Sequence, residues 1–247
     1  MSSEPLIQVR ELTYRYPQGP TALDAISLDV AEGESVALIG PNGAGKTSLF
    51  LCLSGVLRPR AARLRVGGLD VLDAGQRKRL PHQVGIVFQD SDDQLFNSTL
   101  FDDVAFGPLN LGLPADEVRQ RVTEALARVG LAGMGERVPF HLSGGEKRRA
   151  ALAGVLAMRP RLLLLDEPSM FLDPRGRREL IQLINGLGGT RILASHDLEM
   201  ILQTCNRAVL LDRGRLIADG PARELLADAV LMEEHGLEVP YSLRHSQ

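Results

Sequence analysis

The segment Gly40–Thr47, GPNGAGKT, has the residue types and the spacing of a phosphate-binding loop. It follows the apolar run 35–39 and precedes Leu49, Phe50 and Leu53, which have helical spacing, so we expect a strand, a glycine loop and a helix. The glycines would let backbone N–H groups turn towards a phosphate, and a helix N-terminus favours an anion. An ordinary turn between a strand and a helix is the alternative interpretation.

We predict that this loop and the residue after it bind the phosphates of a nucleotide. The predicted contacts come from Gly40, Pro41, Asn42, Gly43, Ala44, Gly45, Lys46, Thr47 and Ser48. Lys46 would reach the β- and γ-phosphates, and the Thr47 hydroxyl would complete the shell of a Mg²⁺ ion. Tyr16 precedes the loop and could stack on a nucleotide base, although half-buried tyrosines are also common at strand ends.

Three further predicted strands end in polar side chains, which belong to Gln89, to Asp166 with Glu167, and to His196. Parallel sheets place ligand groups at the carboxyl ends of their strands, so Gln89 could reach nucleotide, metal or water. Asp166 would hold Mg²⁺, and Glu167 could accept a proton from a water that attacks the γ-phosphate. His196 could contact the γ-phosphate. Each of these residues could instead be a structural polar residue at a strand end.

Ser143-Gly144-Gly145-Glu146 has the pattern of a capping box at the start of a helix. A cap alone does not explain the two glycines, because each costs a helix about 1 kcal/mol relative to alanine. Their use would be to bring backbone N–H groups against an anion, which suggests a second nucleotide contact across a subunit boundary. Asp173, followed by Pro174, is fully explained as the N-cap of the next helix.

Composition limits the possible functions. A chain of 247 residues with 44% hydrophobic residues can bury a substantial core, and its net charge of −3 gives no reason to expect a nucleic acid partner. Its two cysteines, Cys52 and Cys205, lack metal-ligand spacing and fit packing roles in a reducing compartment. No signal peptide or membrane span is visible, so we expect a cytoplasmic protein that reaches membranes through partners.

The remaining elements show how the chain is organised. Helical patterns from 90 to 157, including an amphipathic helix at 114–129, predict a helical insertion between segments rich in strands. The segments 207–212 and 215–219 predict a hairpin. The tail from 221 predicts a small helical extension in which Glu233, Glu234 and His235 are solvated, and the arginines between 58 and 65 read as a solvated edge.

Taken together and in order, GPNGAGKT, Gln89, LSGGE at 142–146, LLLLDE at 162–167, Asp173 and His196 resemble the nucleotide-binding subunit of an ATP-binding cassette (ABC) transporter. Segments 89–113 and 145–158 and the tail resemble energy-coupling-factor importers, particularly cobalt/nickel ATPase subunits. Ser91 departs from this pattern, where proline is usual, and so do Met170 and Phe171, where small residues are usual.

The resemblance implies an α/β fold with a P-loop NTPase core and an ABC α-helical subdomain. The core sheet would be mostly parallel, with antiparallel β strands at its N-terminal side. The implied divisions are a nucleotide-binding core at 1–89 and 158–220, the helical subdomain at 90–157, and a C-terminal extension at 221–247.

The resemblance also implies roles for individual residues. Tyr16 would stack on adenine, and Gln89 would link the γ-phosphate, Mg²⁺ and the transport partner. Ser143 to Gly145 would clamp ATP held by a second ABC ATPase subunit, which could be another copy or a related chain. Glu167 would activate water, His196 would hold the γ-phosphate, and Asp173 would communicate across the interface.

The implied partners are transmembrane and substrate-binding proteins of an energy-coupling-factor importer, which would hold the chain peripherally at the cytoplasmic face of the membrane. ATP and Mg²⁺ are the implied cofactors, and cobalt or nickel is the implied cargo. Three alternatives remain: a vitamin importer of the same type, an ABC ATPase acting on nucleic acid, and a non-catalytic nucleotide-dependent scaffold. The intact Glu167 and His196 argue against the scaffold.

Overall fold

The computed structural model describes residues 4–244. These residues form two compact units, one made of the chain up to Leu80 together with the chain from Gly188 onward, and the other made of Pro81–Leu187. The division expected from the sequence, at 89, 157 and 220, stays a prediction. Its residues 1–3 and 245–247 lie outside the described part of the chain.

The chain contains both strands and helices, as the α/β prediction requires. They are β1 (Ile7–Arg15), β2 (Thr21–Val30), β3 (Ser35–Ile39), β4 (Arg63–Val66), β5 (Leu69–Asp70), β6 (Val84–Val87), β7 (Leu162–Asp166), β8 (Thr190–Ala194), β9 (Arg207–Asp212) and β10 (Arg215–Pro221). The helices are α1 (Lys46–Leu53), α2 (Ala74–Arg77), α3 (Leu100–Asn110), α4 (Ala115–Arg128), α5 (Gly144–Ala157), α6 (Pro174–Gly186), α7 (Leu198–Thr204), α8 (Ala222–Ala227), α9 (Ala229–Glu234) and α10 (Tyr241–Arg244).

The first unit contains two kinds of strand pairing. β3 lies between β8 and β9 and is parallel to both, and all five of its residues are buried. Buried strands of this kind are continuously apolar because both faces of a parallel sheet are covered. The predicted hairpin of β9 and β10 is confirmed. A separate antiparallel sheet has the order β2-β1-β4-β5, which confirms antiparallel strands near the N-terminus.

The second unit combines two parallel strands with a group of helices. β6 and β7 pair in parallel with Val87 opposite Leu165, so their carboxyl ends lie side by side. Helices α3, α4 and α5 contact one another, which confirms a helical insertion, and α4 buries Val118, Val122 and Leu126 along one face. Among the described residues, no helix is both long enough and apolar enough to cross a membrane.

Candidate active site

The glycine loop lies between β3 and α1, and close backbone contacts require two of its glycines. A Cβ atom on Gly40, whose φ is +147°, would be 2.0 Å from the Leu211 carbonyl oxygen. A Cβ atom on Gly45, whose φ is +107°, would be 2.6 Å from the Ala22 carbonyl oxygen. Gly45 is also the N-cap of α1 and has no side chain to accept hydrogen bonds from the first-turn N–H groups. Such a helix start is a favourable place for a phosphate.

Lys46 folds back over this loop. Its Nζ donates to the carbonyl oxygen of Gly40 at 2.6 Å and to that of Pro41 at 3.2 Å. His196, which follows β8, brings its Nε2 to 3.4 Å from the same Nζ and to 2.9 Å from Asn42 Oδ1. The structure therefore brings Lys46 and His196, which lie far apart in the sequence, together at the loop.

Tyr16 is connected to the same helix. Its hydroxyl lies 3.1 Å from Ser48 Oγ, and its ring makes an edge-to-face contact with Tyr14 at 4.9 Å between centroids. These contacts fix the ring near the start of α1, while 38% of the residue stays exposed. An exposed, fixed aromatic ring is compatible with base stacking, which stays a prediction for Tyr16.

In the second unit, the acidic pair follows the buried strand β7. Asp166 is its last residue and is 3% exposed. Glu167 has a φ of +45°, in the left-handed region that side chains other than glycine seldom adopt. Strained backbone of this kind costs about 1–3 kcal/mol and is concentrated at functional sites. Gln89 follows β6, and its Nε2 donates to Met170 Sδ at 3.0 Å.

Ser143 caps α5 as the sequence predicts. Its backbone N–H and its hydroxyl both donate to Glu146 Oε2 at 2.7 Å, and these hydrogen bonds from Ser143 lower the pKa of Glu146. A Cβ atom on Gly144 would meet nothing within 4 Å, and one on Gly145 would make only ordinary contacts. Crowding by the described chain therefore does not require glycine at either position, and a phosphate contact at these residues stays a prediction.

Asp173 is the N-cap of α6, since its Oδ1 accepts a hydrogen bond from the Gly176 N–H at 2.6 Å. Two residues before it, Phe171 is 85% exposed and has a φ of +64°. The cap confirms the structural interpretation of Asp173, and its role at an interface stays a prediction.

Sequence reasoning missed Arg148, which lies on α5 and is 4% exposed. Its Nη1 donates to the Phe88 carbonyl oxygen at 2.8 Å and its Nη2 donates to the Gln89 carbonyl oxygen at 2.6 Å. Burial lowers the pKa of the guanidinium, and the charges of Asp90 and Glu167 act in the opposite direction. Arg148 lies within a run of charged residues at the start of a helix, and nothing in that sequence pattern indicates which of these side chains is buried.

The oxygen donors at these sites fit Mg²⁺. Within residues 4–244, no group of three or more His, Cys, Asp and Glu side chains could hold a metal ion by itself. A nucleotide-bound Mg²⁺ needs fewer protein ligands than such a group provides, because it keeps several waters and takes one or two protein ligands together with phosphate oxygens. In the first unit, the hydroxyl of Thr47 in the first turn of α1 is a hard oxygen ligand of this kind. In the second unit, the buried carboxylate of Asp166 is another.

Comparison with known proteins identifies the family. The family model described as "ABC transporter" matches residues 23–170. The chain belongs to this family. It is 52% identical to a putative ABC transporter ATP-binding protein of Gloeobacter violaceus over 97% of this chain and 98% of the relative. It is therefore an ABC ATPase, and ATP is its nucleotide.

Two further relatives have more specific names. The chain is 47% identical to the energy-coupling factor transporter ATP-binding protein EcfA of Methanothermobacter thermautotrophicus, over 95% of this chain and 77% of the relative. It is 46% identical to the cobalt import ATP-binding protein CbiO of Rhodobacter capsulatus, over 96% of this chain and 86% of the relative. The solved structure of cbiO1 from Clostridium perfringens, part of the ABC transporter complex cbiONQ, superimposes with a TM-score of 0.83 at 36% identity, covering 98% of each chain.

Proposed function

We propose that this chain is the ATP-hydrolysing subunit that powers an energy-coupling-factor importer, with cobalt or nickel as the cargo. The observation that carries the ATPase part is the convergence of Lys46 and His196 on the glycine loop. The importer type and the cargo are supported by the relatives named EcfA and CbiO. A vitamin importer of the same type is the alternative, because an ATPase subunit does not itself contact the transported solute.

The proposed chemistry assigns one role to each polar side chain. Thr47, Gln89 and Asp166 would hold Mg²⁺, which would supply neutralising charge to the phosphates of the nucleotide. Glu167 accepts a proton from the attacking water. Lys46 and His196 bind the γ-phosphate as hydrogen-bond donors, and Tyr16 stacks on adenine.

The second phosphate contact comes from another subunit in this proposal. Ser143, Gly144 and Gly145 bind ATP held by a second ABC ATPase subunit, either another copy or a related chain. The space around the would-be Cβ atom of Gly144 supports this assignment, because a bound phosphate could approach the backbone there. A Cβ atom on Gly145 would lie 4.0 Å from the side chain of Leu172, the residue before Asp173, and Asp173 contacts the same partner in this proposal.

The proposed membrane partner docks on an exposed apolar patch at α3. Phe96 and Phe106 are 60% and 50% exposed and form an edge-to-face pair with 5.0 Å between ring centroids, and Leu109 is 58% exposed. Phe101 is half-buried and Val104 is buried, so these two residues serve the core. An apolar patch of this kind is a common feature of sites that receive a partner helix. Docking there would hold the chain peripherally at the cytoplasmic face of the membrane.

The test combines hydrolysis, co-purification and uptake. The purified protein should hydrolyse ATP in the presence of Mg²⁺, without stimulation by DNA or RNA. Phe96→Asp should leave that activity intact but abolish co-purification with the transmembrane subunit and uptake of cobalt or nickel. Val230→Asp, at a valine that is 68% exposed on α9, is the matched control and should change none of these.

Each contrary result removes one part of the proposal. Undiminished co-purification of Phe96→Asp with the transmembrane subunit would refute docking at the apolar patch. Uptake of a vitamin instead of a metal ion would refute cobalt or nickel as the cargo but would not contradict the proposed ATPase function. Stimulation of hydrolysis by nucleic acid would favour an ABC ATPase that works on DNA or RNA.

A further inference from the structure

We propose that Arg148 is a positioning residue for ATP hydrolysis, which fixes the backbone of Phe88 and Gln89 against the start of α5. In this arrangement the segment 88–92, which contains Gln89, moves together with α5 as one body. The inference rests on the proposed role of Gln89 in the ATPase site.

The backbone beyond β6 depends on side chains for its hydrogen bonds. β6 ends at Val87, and the next N–H, that of Phe88, donates to Gln94 Oε1 at 3.0 Å. The carbonyl oxygens of Phe88 and Gln89 then accept from the two terminal nitrogens of Arg148, at 2.8 Å and 2.6 Å. Phe88 is half-buried and Gln89 is exposed, and Arg148 supplies donors to the carbonyl groups of both residues beyond the end of the strand.

A second bond joins the same two elements. Lys147, the residue before Arg148 on α5, donates from Nζ to Asp92 Oδ1 at 2.7 Å. Two successive residues of the helix thus hold two points of the segment between 88 and 92. The lysine bond is more exposed, since 67% of the Asp92 side chain is accessible to solvent. Solvent screens such pairs strongly, so the buried arginine provides most of the attachment.

The chemistry of this contact favours arginine. A guanidinium presents donors in a planar fork that can bond two acceptors at once, whereas an ammonium is a point charge. Among the described residues, no carboxylate hydrogen-bonds to Arg148, and both its terminal nitrogens bond to carbonyl oxygens instead. The charges of Asp90 and Glu167 offset part of the cost of burying this cation, but the fork itself bonds the two carbonyl oxygens, which points to a role for it beyond packing.

The position of the Gln89 side chain follows from this backbone attachment. Its amide donates to the thioether of Met170, which is a weak acceptor. The backbone bonds from Arg148 are therefore the stronger restraint on where the Gln89 amide lies. If the two hydrogen bonds from Arg148 are lost, ATP should still bind at the glycine loop. The Gln89 amide should then be misplaced relative to the Mg²⁺ and γ-phosphate that it is proposed to contact during hydrolysis.

The experiment is a double-mutant cycle on the purified ATPase with MgATP. Arg148→Met keeps the apolar stem and removes the fork, and it should lower kcat about tenfold or more, with KM for ATP within about threefold of the parent. In a Gln89→Ala background the same change should lower kcat by less than about threefold, because the two residues act through one position. Arg148→Lys should recover only part of the activity. Arg159→Met breaks an exposed ion pair with Glu124 in the same unit and is the control.

Hydrogen exchange supplies a readout that does not depend on turnover. In Arg148→Met, the amides between 88 and 94 should exchange at least about tenfold faster, whereas those in β7 should keep their parental rates. Acceleration across the whole second unit would show a general loss of structure and overturn the inference.

The kinetic outcomes separate this inference from the proposed function. Parental kcat in Arg148→Met, or an equal fall in both backgrounds, overturns the inference and leaves the ATPase function standing. A parent protein that hydrolyses no ATP, or a Gln89→Ala variant with parental kcat, overturns the proposed role of Gln89 and the inference with it.

Discussion

Asp173 allows a structural role and an interface role to be measured separately. Its Oδ1 accepts the Gly176 N–H at 2.6 Å as the N-cap of α6, so Asp173→Ala leaves that donor without its cap. Loss of such a cap costs about 1 kcal/mol. For a protein of this size, 1 kcal/mol corresponds to a fall in Tm of about 2–4 °C. Asp173→Ala should therefore unfold about 2–4 °C below the parent.

Asp173→Asn removes the charge but keeps a capping oxygen, and asparagine caps helices about as well as aspartate. Its Tm should stay within about 1 °C of the parent. If Asp173 also acts at the interface between two ATPase subunits, this variant should lose ATPase activity without losing stability. Asp228→Ala is the matched control, because Asp228 caps α9 through the Leu231 N–H at 3.0 Å. It should cost similar stability and leave ATPase activity unchanged.

The two readouts are thermal unfolding followed by fluorescence and steady-state ATPase activity at a concentration that supports dimers. A Tm of Asp173→Ala equal to that of the parent would show that the Asp173 cap contributes no measurable stability to α6. Parental kcat in Asp173→Asn would refute the interface role and leave Asp173 as a cap alone.

Three further predictions concern the same sites. Glu167→Gln should bind ATP and accumulate as an ATP-bound dimer, with turnover reduced about 10²–10⁴-fold, and near-parental turnover would exclude Glu167 as the base. Mixing Ser143→Arg with Lys46→Ala should restore some ATPase activity through one intact composite site; activity no greater than the sum of the separate variants, in dimers, would contradict a shared site. Because the pKa of Glu146 is lower in the folded protein than in the unfolded chain, its carboxylate stabilises the fold above the unfolded pKa, and this stability is lost as pH falls through the folded pKa. Glu146→Gln should therefore weaken the dependence of Tm on pH below about 4. An unchanged dependence of Tm on acid pH would disprove this.

The glycine loop could be predicted from the sequence because its determinants are local. A buried strand, two glycines that the backbone requires and the start of α1 all lie within 35–53. The polar ends of the other strands were also visible, since the runs before them are continuously apolar. Their arrangement in space was not visible, and the contact of Lys46 with His196 depends on β3 and β8 being neighbours.

Other features depend on contacts that no local pattern records. Arg148 is buried because the carbonyl oxygens it bonds belong to a segment about sixty residues earlier in the chain. The expectation that His235 is solvated was wrong, since its Nδ1 lies 2.9 Å from Asp212 Oδ2 and only 17% of its side chain is exposed. The short strand β4 was missed because the alternation in Arg63–Val66 is only four residues long and its two arginines belong to a longer basic segment.

The proposed site residues of the second unit differ in what holds them in place, and that difference matches what each is proposed to do. Asp166 belongs to β7, whose residues are all buried, which suits a metal ligand that needs fixed geometry. Gln89, Ser143 and Asp173 lie outside strands, in segments ordered by a few hydrogen bonds to side chains. Segments with so few bonds can shift at a lower cost than a buried strand. Ser143 and Asp173, which are proposed to contact a second subunit, are thus residues that a partner can move, while the Asp166 carboxylate proposed to hold the metal stays in place. Gln89, proposed to link the metal to the partner, is movable only together with the start of α5, to which Arg148 bonds it.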